Sequence, residues 1–250
     1  MEIAPRTEST PARVRALRLA GRDVLDVLNR VSSNDLASLS QGEARTTLFC
    51  DFRGRLLHRA VVVHAPGGVV WLLSDSPGDA LAAFVDSRVF REDARVDGSS
   101  LDVPASLAPL AGAAFGADER ARIEAGLPRF GHEIAETFNA YEAGLASEVH
   151  LAKGCYTGQE ALQRLVTYDS VRRERVRFAG DGPPPPPQDV LAHAETVGRL
   201  TSSAGVEGGW IALAIVRIAA LDAGTPLALA DGTPLAAPHR FAGARPIGRG

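Results

Sequence analysis

The chain has 250 residues, 45% of them hydrophobic and 23% charged, enough apolar material for a substantial core. Lys and Arg number 27 against 30 Asp and Glu, a net charge of -3, so there is no global electrostatic case for nucleic acid. No apolar run is long enough to span a bilayer, and the polar stretch Met1–Arg13 lacks the apolar core of a secretory signal, so a frayed start and a cytoplasmic protein are expected.

Val14 to Leu19 reads as a strand ending at Gly21. Asp23 then opens an amphipathic helix with Val24, Leu25, Val27, Leu28 and Val31 on or near one face. Leu56–Val63 and Val69–Leu73, joined across Pro66-Gly67-Gly68, read as a hairpin whose β-branched content suits a sheet. Ser76-Pro77 followed by Leu81, Phe84, Val85 and Val89 predicts a capped helix with Pro at its first position. Asp118–Glu124 predicts another, ended by Gly126 and Pro128. Gln159–Val166 places Ala161, Leu162, Leu165 and Val166 at helical spacing, with the Thr157 hydroxyl available as a cap. Gly182 and the five prolines Pro183–Pro187 favour an extended, semi-rigid linker. Beyond it come short strands, Val197–Ser202 and Trp210–Val216, then two Gly-Thr-Pro-Leu phrases at Gly224–Leu227 and Gly232–Leu235 that read as a hairpin. The pattern is α+β with a small antiparallel barrel at the C-terminal end.

The run Lys153-Gly154-Cys155-Tyr156-Thr157-Gly158-Gln159-Glu160 sets one of only two cysteines in front of a helix start. Unpaired helix N–H groups and the Lys153 ammonium would favour the thiolate, which makes Cys155 a candidate reactive or ligand-facing sulfur. The alternative is a small apolar filler, with Gly154 and Gly158 serving only a tight turn. Cys50 lies in an apolar strand, where burial is the economical account, and a cytosolic chain gives the two cysteines no reason to pair.

The run matches K-G-C-[YF]-x-G-Q-E and so resembles the YgfZ group of the GcvT-like (glycine cleavage T-protein, or aminomethyltransferase) folate-binding superfamily. Four more blocks in chain order carry the resemblance: Gly21-Arg22-Asp23 to Asn34-Asp35-Leu36; Thr47-Leu48-Phe49-Cys50-Asp51 with Gly54-Arg55; Arg122-Ile123-Glu124-Ala125-Gly126-Leu127-Pro128 with Phe130-Gly131; and Glu142-Ala143-Gly144-Leu145, with Tyr141 where the group has proline. The resemblance implies a GcvT-like scaffold of α/β modules around a central opening that accepts tetrahydrofolate. It implies a discontinuous folate-binding domain at 1–50 and 116–181, an inserted domain at 51–115, a linker at 182–187 and a barrel at 188–250. It also implies an accessory role in assembly or repair of iron-sulfur enzymes, with Cys155 as the working sulfur and folate and iron-sulfur client or assembly proteins as partners of a monomer.

Folate offers a hydrogen-bonding pterin, an aromatic middle and a tail of carboxylates. Arg, Lys or a helix N-terminus suits the tail, and a carboxylate suits the pterin N–H groups. Glu142, Arg122, Glu124 and the turn residues Lys153, Tyr156, Gly158 and Gln159 are therefore the expected contacts. Arg122 and Glu124 could equally be solvated helix positions, and Glu160 a first-turn carboxylate complementing the helix dipole. In aminomethyltransferases of the superfamily the strand after the Gly54 turn carries an acidic pair that acts on the one-carbon unit, whereas this chain has His58-Arg59. A cation in place of a carboxylate reverses the electrostatic sign at a developing iminium, which argues against aminomethyl transfer.

The histidines at 58, 64, 132, 150, 193 and 239 are dispersed and the cysteines lack C-x-x-C spacing, so no metal motif is visible. His150 could serve a cysteine hydrolase only by nearness in sequence, and neither G-x-G-x-x-G nor G-K-[ST] occurs. Two other functions remain beside the accessory role: a folate-dependent one-carbon transferase with altered chemistry, and a thiol-redox protein acting through Cys155.

Overall fold

The computed structural model describes residues 14–242; the frayed start expected at Met1–Arg13 lies outside them. Two antiparallel sheets organise the chain. The first has five strands in the order β2-β3-β4-β1-β5, formed by β1 (Arg15–Ala20), β2 (Ala44–Cys50), β3 (Leu56–His64), β4 (Val70–Ser74) and β5 (Arg95–Leu101). One face is covered by α1 (Val24–Val31) and α2 (Gly78–Asp86), which bury Leu28, Leu81, Phe84 and Val85 against Phe49, Val62 and Leu72. The other face packs Val61, Val63 and Leu73 on α3 (Ala108–Phe115).

β1 sits between β4 and β5, and β2 pairs with β3 from Ala44↔Val63 to Cys50↔Leu56. Strands drawn from Arg15–Cys50 and from Leu56–Leu101 therefore share one sheet, on both sides of the boundary at residue 51 that the resemblance implied for an inserted domain. α4 (Glu119–Ala125) begins as expected, with Asp118 accepting the Ala121 N–H, and ends at Gly126 in the left-handed conformation. α2 starts one residue later than expected, with Pro77 at its N-cap, and stops at Asp86, short of Val89; the Ser76 hydroxyl makes no cap.

The second sheet has seven strands in the order β11-β10-β7-β8-β9-β6-β12. They are β6 (Arg173–Asp181), β7 (Gln188–Ala192), β8 (Glu195–Val206), β9 (Gly209–Arg217), β10 (Leu227–Leu229), β11 (Pro234–Leu235) and β12 (His239–Arg240), with α6 (Ile218–Asp222) after β9. It curls as a half-barrel around Phe178, Val190, Leu200, Trp210 and Leu229. β6 pairs along its whole length with β9, from Arg173↔Arg217 to Asp181↔Gly209. The C-terminal unit thus begins near residue 173 rather than 188, and Pro183–Pro187 connects two strands of one sheet instead of linking two domains. The prolines donate no backbone bonds, and the segment is pinned by the Ser203 hydroxyl donating to the Pro185 carbonyl at 2.5 Å.

β6 also joins the sheet to the rest of the chain. Val176 and Phe178 face the half-barrel core, so the arginines of the Arg-x-Arg-x-Arg pattern face the other way. Each donates to a main-chain carbonyl of the preceding region: Arg173 Nη2 to Thr137 O (3.1 Å), Arg175 Nη1 to Ala143 O (2.7 Å) and Arg177 Nη1 to Glu124 O (2.6 Å). Beside this ladder Glu133 is fully buried, paired with Arg122 at 3.2 Å and accepting the hydroxyls of Thr201 and Ser202 on β8. Arg122 holds its carboxyl down against burial, assisted by those hydroxyls.

The turn after β2 and the turn before α5 (Gln159–Thr167) fit against each other through glycine. Asp51 accepts the N–H groups of Arg53 and Arg55 at 2.8 Å each, fixing the first turn. Gly158, at φ +85, lies so close that a Cβ there would stand 2.5 Å from the Asp51 carbonyl oxygen. Gly158→Ala is expected to cost about 2 to 4 kcal/mol, combining a left-handed non-glycine residue with a clash against backbone, read as a fall in the urea midpoint at unchanged m-value.

Candidate functional site

Cys155 is exposed and Cys50 is buried, and both are free thiols. Burial, with Asp51 adding, pushes the Cys50 thiol up to about 12, so only Cys155 is available for chemistry in solvent. The helix behind it is capped differently from the sequence reading. Gly158 occupies the N-cap in the left-handed conformation and no side chain caps α5, so the Thr157 hydroxyl has no such role. The first turn is held by Gln159, whose backbone N–H donates to Tyr156 O and whose Nε2 donates to Leu151 O at 2.7 Å.

Lys153 turns toward α1: its ammonium donates to Asn29 Oδ1 at 3.0 Å and to the Asn29 carbonyl, and lies 5.1 Å from the centre of the Tyr156 ring. Burial lowers its pKa to about 8, with Asp35 acting in the opposite direction. Tyr156 is buried with Cys50, Tyr141 and Leu162. The motif residues therefore make a packed turn that presents the Cys155 thiol outward.

The other expected folate contacts are already engaged. Arg122 is 3% exposed and donates to both Glu119 oxygens, to Glu133 and to Leu127 O. Glu124 is exposed and pairs with Arg120 at 2.9 Å. Glu142 is buried, accepts from Arg173 at 2.8 and 3.0 Å and lies 3.7 Å from Arg55. None of Lys153, Tyr156, Gly158, Gln159, Glu142, Arg122 and Glu124 lines the larger cleft described next.

That cleft, about 820 Å³, opens between β2, β3, α3 and the loops at 34–38 and 147–150. Val61, Leu110, Ala113 and Ala114 give it an apolar wall, and Asn34, Asp35, Arg45, Arg59, Glu148 and His150 supply polar groups. Arg59 and Glu148 form a buried pair, with Nη2 to Oε1 at 2.6 Å and Nε to both carboxylate oxygens at 3.0 Å. Arg59 Nη1 also donates to Ala114 O at 2.6 Å, so the guanidinium is tied to both a loop and α3. Arg45 is held by the Asp35 carbonyl and Ser38 Oγ, while the Ser38 hydroxyl keeps the Asp35 carboxyl below its usual range.

Asn34-Asp35 and Arg59 were legible as positions of the resemblance blocks and of the departure from the aminomethyltransferase pair. Arg45, Glu148 and the α3 wall carried no local signal, because only the tertiary fold brings three separated segments to one cleft. His150 lines that cleft, and its backbone N–H donates to Ser33 O.

His58, next to Arg59 on β3, points to the opposite face. It is 8% exposed, stacks on Phe130 (centroids 5.9 Å apart, 6° between planes) and meets Phe49 and Phe84 edge-on. Burial, assisted by Arg88, lowers its pKa to about 4, so it stands as a neutral ring near neutral pH.

Residues 172–240 match the family CAF17, C-terminal beta-barrel domain. Over 91 residues, 36% of this chain and 21% of the relative, the sequence is 37% identical to the Arabidopsis thaliana protein named "Putative transferase At1g60990, chloroplastic". Over 123 residues, 47% of this chain and 33% of the relative, it is 39% identical to an aminomethyltransferase of Moorella thermoacetica. The aligned stretches thus span a fifth to a third of these relatives. In three dimensions the chain is similar to the glycine cleavage system aminomethyltransferase T of Bartonella henselae, with TM-score 0.74, 16% identity, and 94% of this chain and 84% of that one covered. The fold is the GcvT-like α+β fold, carrying a CAF17-type C-terminal half-barrel.

The sign of the His58 effect follows from its position. Its folded pKa near 4 lies below the unfolded 6.5, so between those values the unfolded chain binds a proton that the folded one does not. Stability associated with this site is intact above pH 6.5 and is lost as pH falls toward 4, by about 3 kcal/mol at the lower end. Urea melts of His58→Phe are expected to show that share of the acid sensitivity removed, with the wild-type slope retained elsewhere.

Proposed function

We propose that this chain, with its GcvT-like fold and CAF17-type C-terminal half-barrel, binds tetrahydrofolate in the cleft floored by Arg59 and acts as an accessory protein for assembly or repair of iron-sulfur enzymes. The observation that carries the reading is the Arg59–Glu148 pair in a partly apolar cleft of about 820 Å³. A cleft of that size suits a ligand with an aromatic body. Val61, Leu110, Ala113 and Ala114 offer the body a wall, while Arg45 and His150 offer cationic or hydrogen-bonding partners to tail carboxylates. Bound tetrahydrofolate would supply a reduced pterin able to carry a one-carbon unit.

The charge at the floor separates binding from transfer. Arg59 is a guanidinium, and Glu148 is committed to it through three contacts of 3.0 Å or less. Neither side chain is a free carboxylate that could stabilise an iminium, which supports folate binding without aminomethyl transfer. The exposed Cys155 gives the same protein a soft sulfur ligand that a client or assembly protein could reach, with iron or sulfur as cargo. The curated relatives favour a second reading, a one-carbon transferase, which differs in requiring turnover of the folate. A thiol-redox role would use Cys155 alone and leave the cleft without a part.

Titration calorimetry of tetrahydrofolate under reducing conditions is expected to show saturable binding that survives Cys155→Ala. Ala113→Trp, placed on the exposed face of α3 at the cleft, is expected to weaken binding at least tenfold at unchanged thermal midpoint. Cys155→Ala is expected to abolish support of iron-sulfur enzyme activity. Loss of one-carbon units from the folate at a catalytic rate would replace this reading with the transferase, and no binding to wild type would leave the thiol-redox role.

A further inference from the structure

A second pocket of about 430 Å³ shares no lining residue with the folate cleft. It lies at the N-terminal end of α2, between Asp75–Asp79, Ser100 of β5, Arg15 of β1 and the Arg129–Phe130 segment. Its polar groups are incompletely used. Asp75 Oδ2 accepts the Phe130 N–H at 2.8 Å, but Oδ1 is buried with no hydrogen-bond partner. Ser76 is 2% exposed, and its hydroxyl likewise has none. Buried polar atoms left in this state carry a desolvation cost that a hydrogen-bonding partner would offset.

The backbone around these atoms is arranged for close approach. α2 has nine residues and no side-chain cap, and its first backbone bond is Leu81 N–H to Pro77 O at 3.1 Å, so the preceding N–H groups sit at the positive end of the helix dipole. A Cβ on Gly78 would stand 2.3 Å from Ser100 Oγ, and Ser100 itself holds φ +54, a conformation costly for a non-glycine residue. Asp79 accepts the Ser99 and Ser100 hydroxyls at 3.2 and 3.4 Å. Arg15 pairs with Asp102, and Arg129 with Glu119 at 3.3 Å.

The pocket therefore has both signs. A simple anion would suit the helix end and the arginines but would meet Asp75 and Asp79; a simple cation would suit the aspartates and meet the helix end. We propose that this pocket binds a small zwitterion, an α-amino acid, with its ammonium on Asp75 Oδ1 and its carboxylate toward the Ser76 hydroxyl and the N-terminus of α2. The two unpartnered atoms belong to consecutive residues that both line the pocket, one of them a carboxylate oxygen for the ammonium and the other a hydroxyl for the carboxylate. Burial raises the Asp75 pKa against the opposing effects of the Phe130 N–H, Arg59 and Arg122, and an ammonium on Oδ1 would act in the same direction as those cations.

The twenty standard amino acids would be screened by thermal shift and the best of them titrated calorimetrically, alongside glycolate, methylammonium and inorganic phosphate. An amino acid is expected to saturate the protein, with each single-charge analogue at least tenfold weaker. Asp75→Asn should weaken binding at least tenfold: the Phe130 N–H retains the carboxamide oxygen, turning the NH2 toward the ligand's ammonium. Ser76→Ala should also weaken binding while raising the thermal midpoint of the unliganded protein by a few degrees, since it removes an unpaired buried hydroxyl. That rise, together with an unchanged far-UV spectrum, reports that the variant is folded. The assignment is overturned if no amino acid saturates the protein at tens of millimolar, if glycolate or phosphate binds as tightly, or if both folded variants bind like wild type.

Discussion

The arginine ladder of β6 is the constraint on which the arrangement of the molecule depends. A strand that fills a half-barrel with Val176 and Phe178 must turn its alternate residues the other way, and three of those are arginines. Apolar residues there would have made a wide, non-directional contact. Guanidinium groups instead read the positions of three separate carbonyls, at Thr137, Ala143 and Glu124, and so fix the half-barrel in both place and orientation. The arrangement has a cost at its centre: Arg175 keeps Nε without a partner, and burial lowers its pKa to about 10. A Cβ on Gly144 would stand 3.0 Å from the Arg175 Cζ, so glycine at this position leaves room for the guanidinium.

Buried charge recurs wherever segments distant in sequence meet. Arg122 and Glu133 join α4 to β8 through Thr201 and Ser202, and Arg59 and Glu148 join β3 to the loop before α5 while also holding α3. Such pairs contribute modestly to net stability, because desolvation offsets attraction, yet losing one partner leaves a buried charge and costs about 3 to 5 kcal/mol. They act as registration devices between surfaces that apolar packing alone would leave free to slide. At the cleft the same pair also sets the chemistry, since the group fixed at the floor is a cation and the carboxylate hydrogen-bonded to it, Glu148, is committed to that pairing.

The motif around Cys155 divides its work between packing and exposure. Gly158 permits contact with the Asp51 carbonyl, Tyr156 enters the core with Cys50, and Lys153 is drawn away to Asn29, so these residues hold the turn while the thiol remains outside. The Lys153 ammonium, two residues from the thiol in sequence, is directed to Asn29 of α1.

By itself the sequence determined the features that local chemistry controls. Asp118 and Gly126 bound α4 because a carboxylate can take a first-turn N–H and only glycine enters the left-handed cap cheaply. The face of α1 was set by Val24, Val27, Leu28 and Val31, and the β3–β4 hairpin by its β-branched runs and glycines. Tertiary structure decided what depends on partners far along the chain. β1 lies between β4 and β5, so strands before and after residue 51 share a sheet; β6 pairs into the C-terminal sheet; and five prolines connect two of its strands, because extended backbone without donors suits an exposed crossing as well as a linker. The cleft likewise exists only where β3, α3 and the 147–150 loop converge. A residue's conformational preference is local, but the partner that satisfies a guanidinium, a carboxylate or a strand edge is supplied by the whole fold.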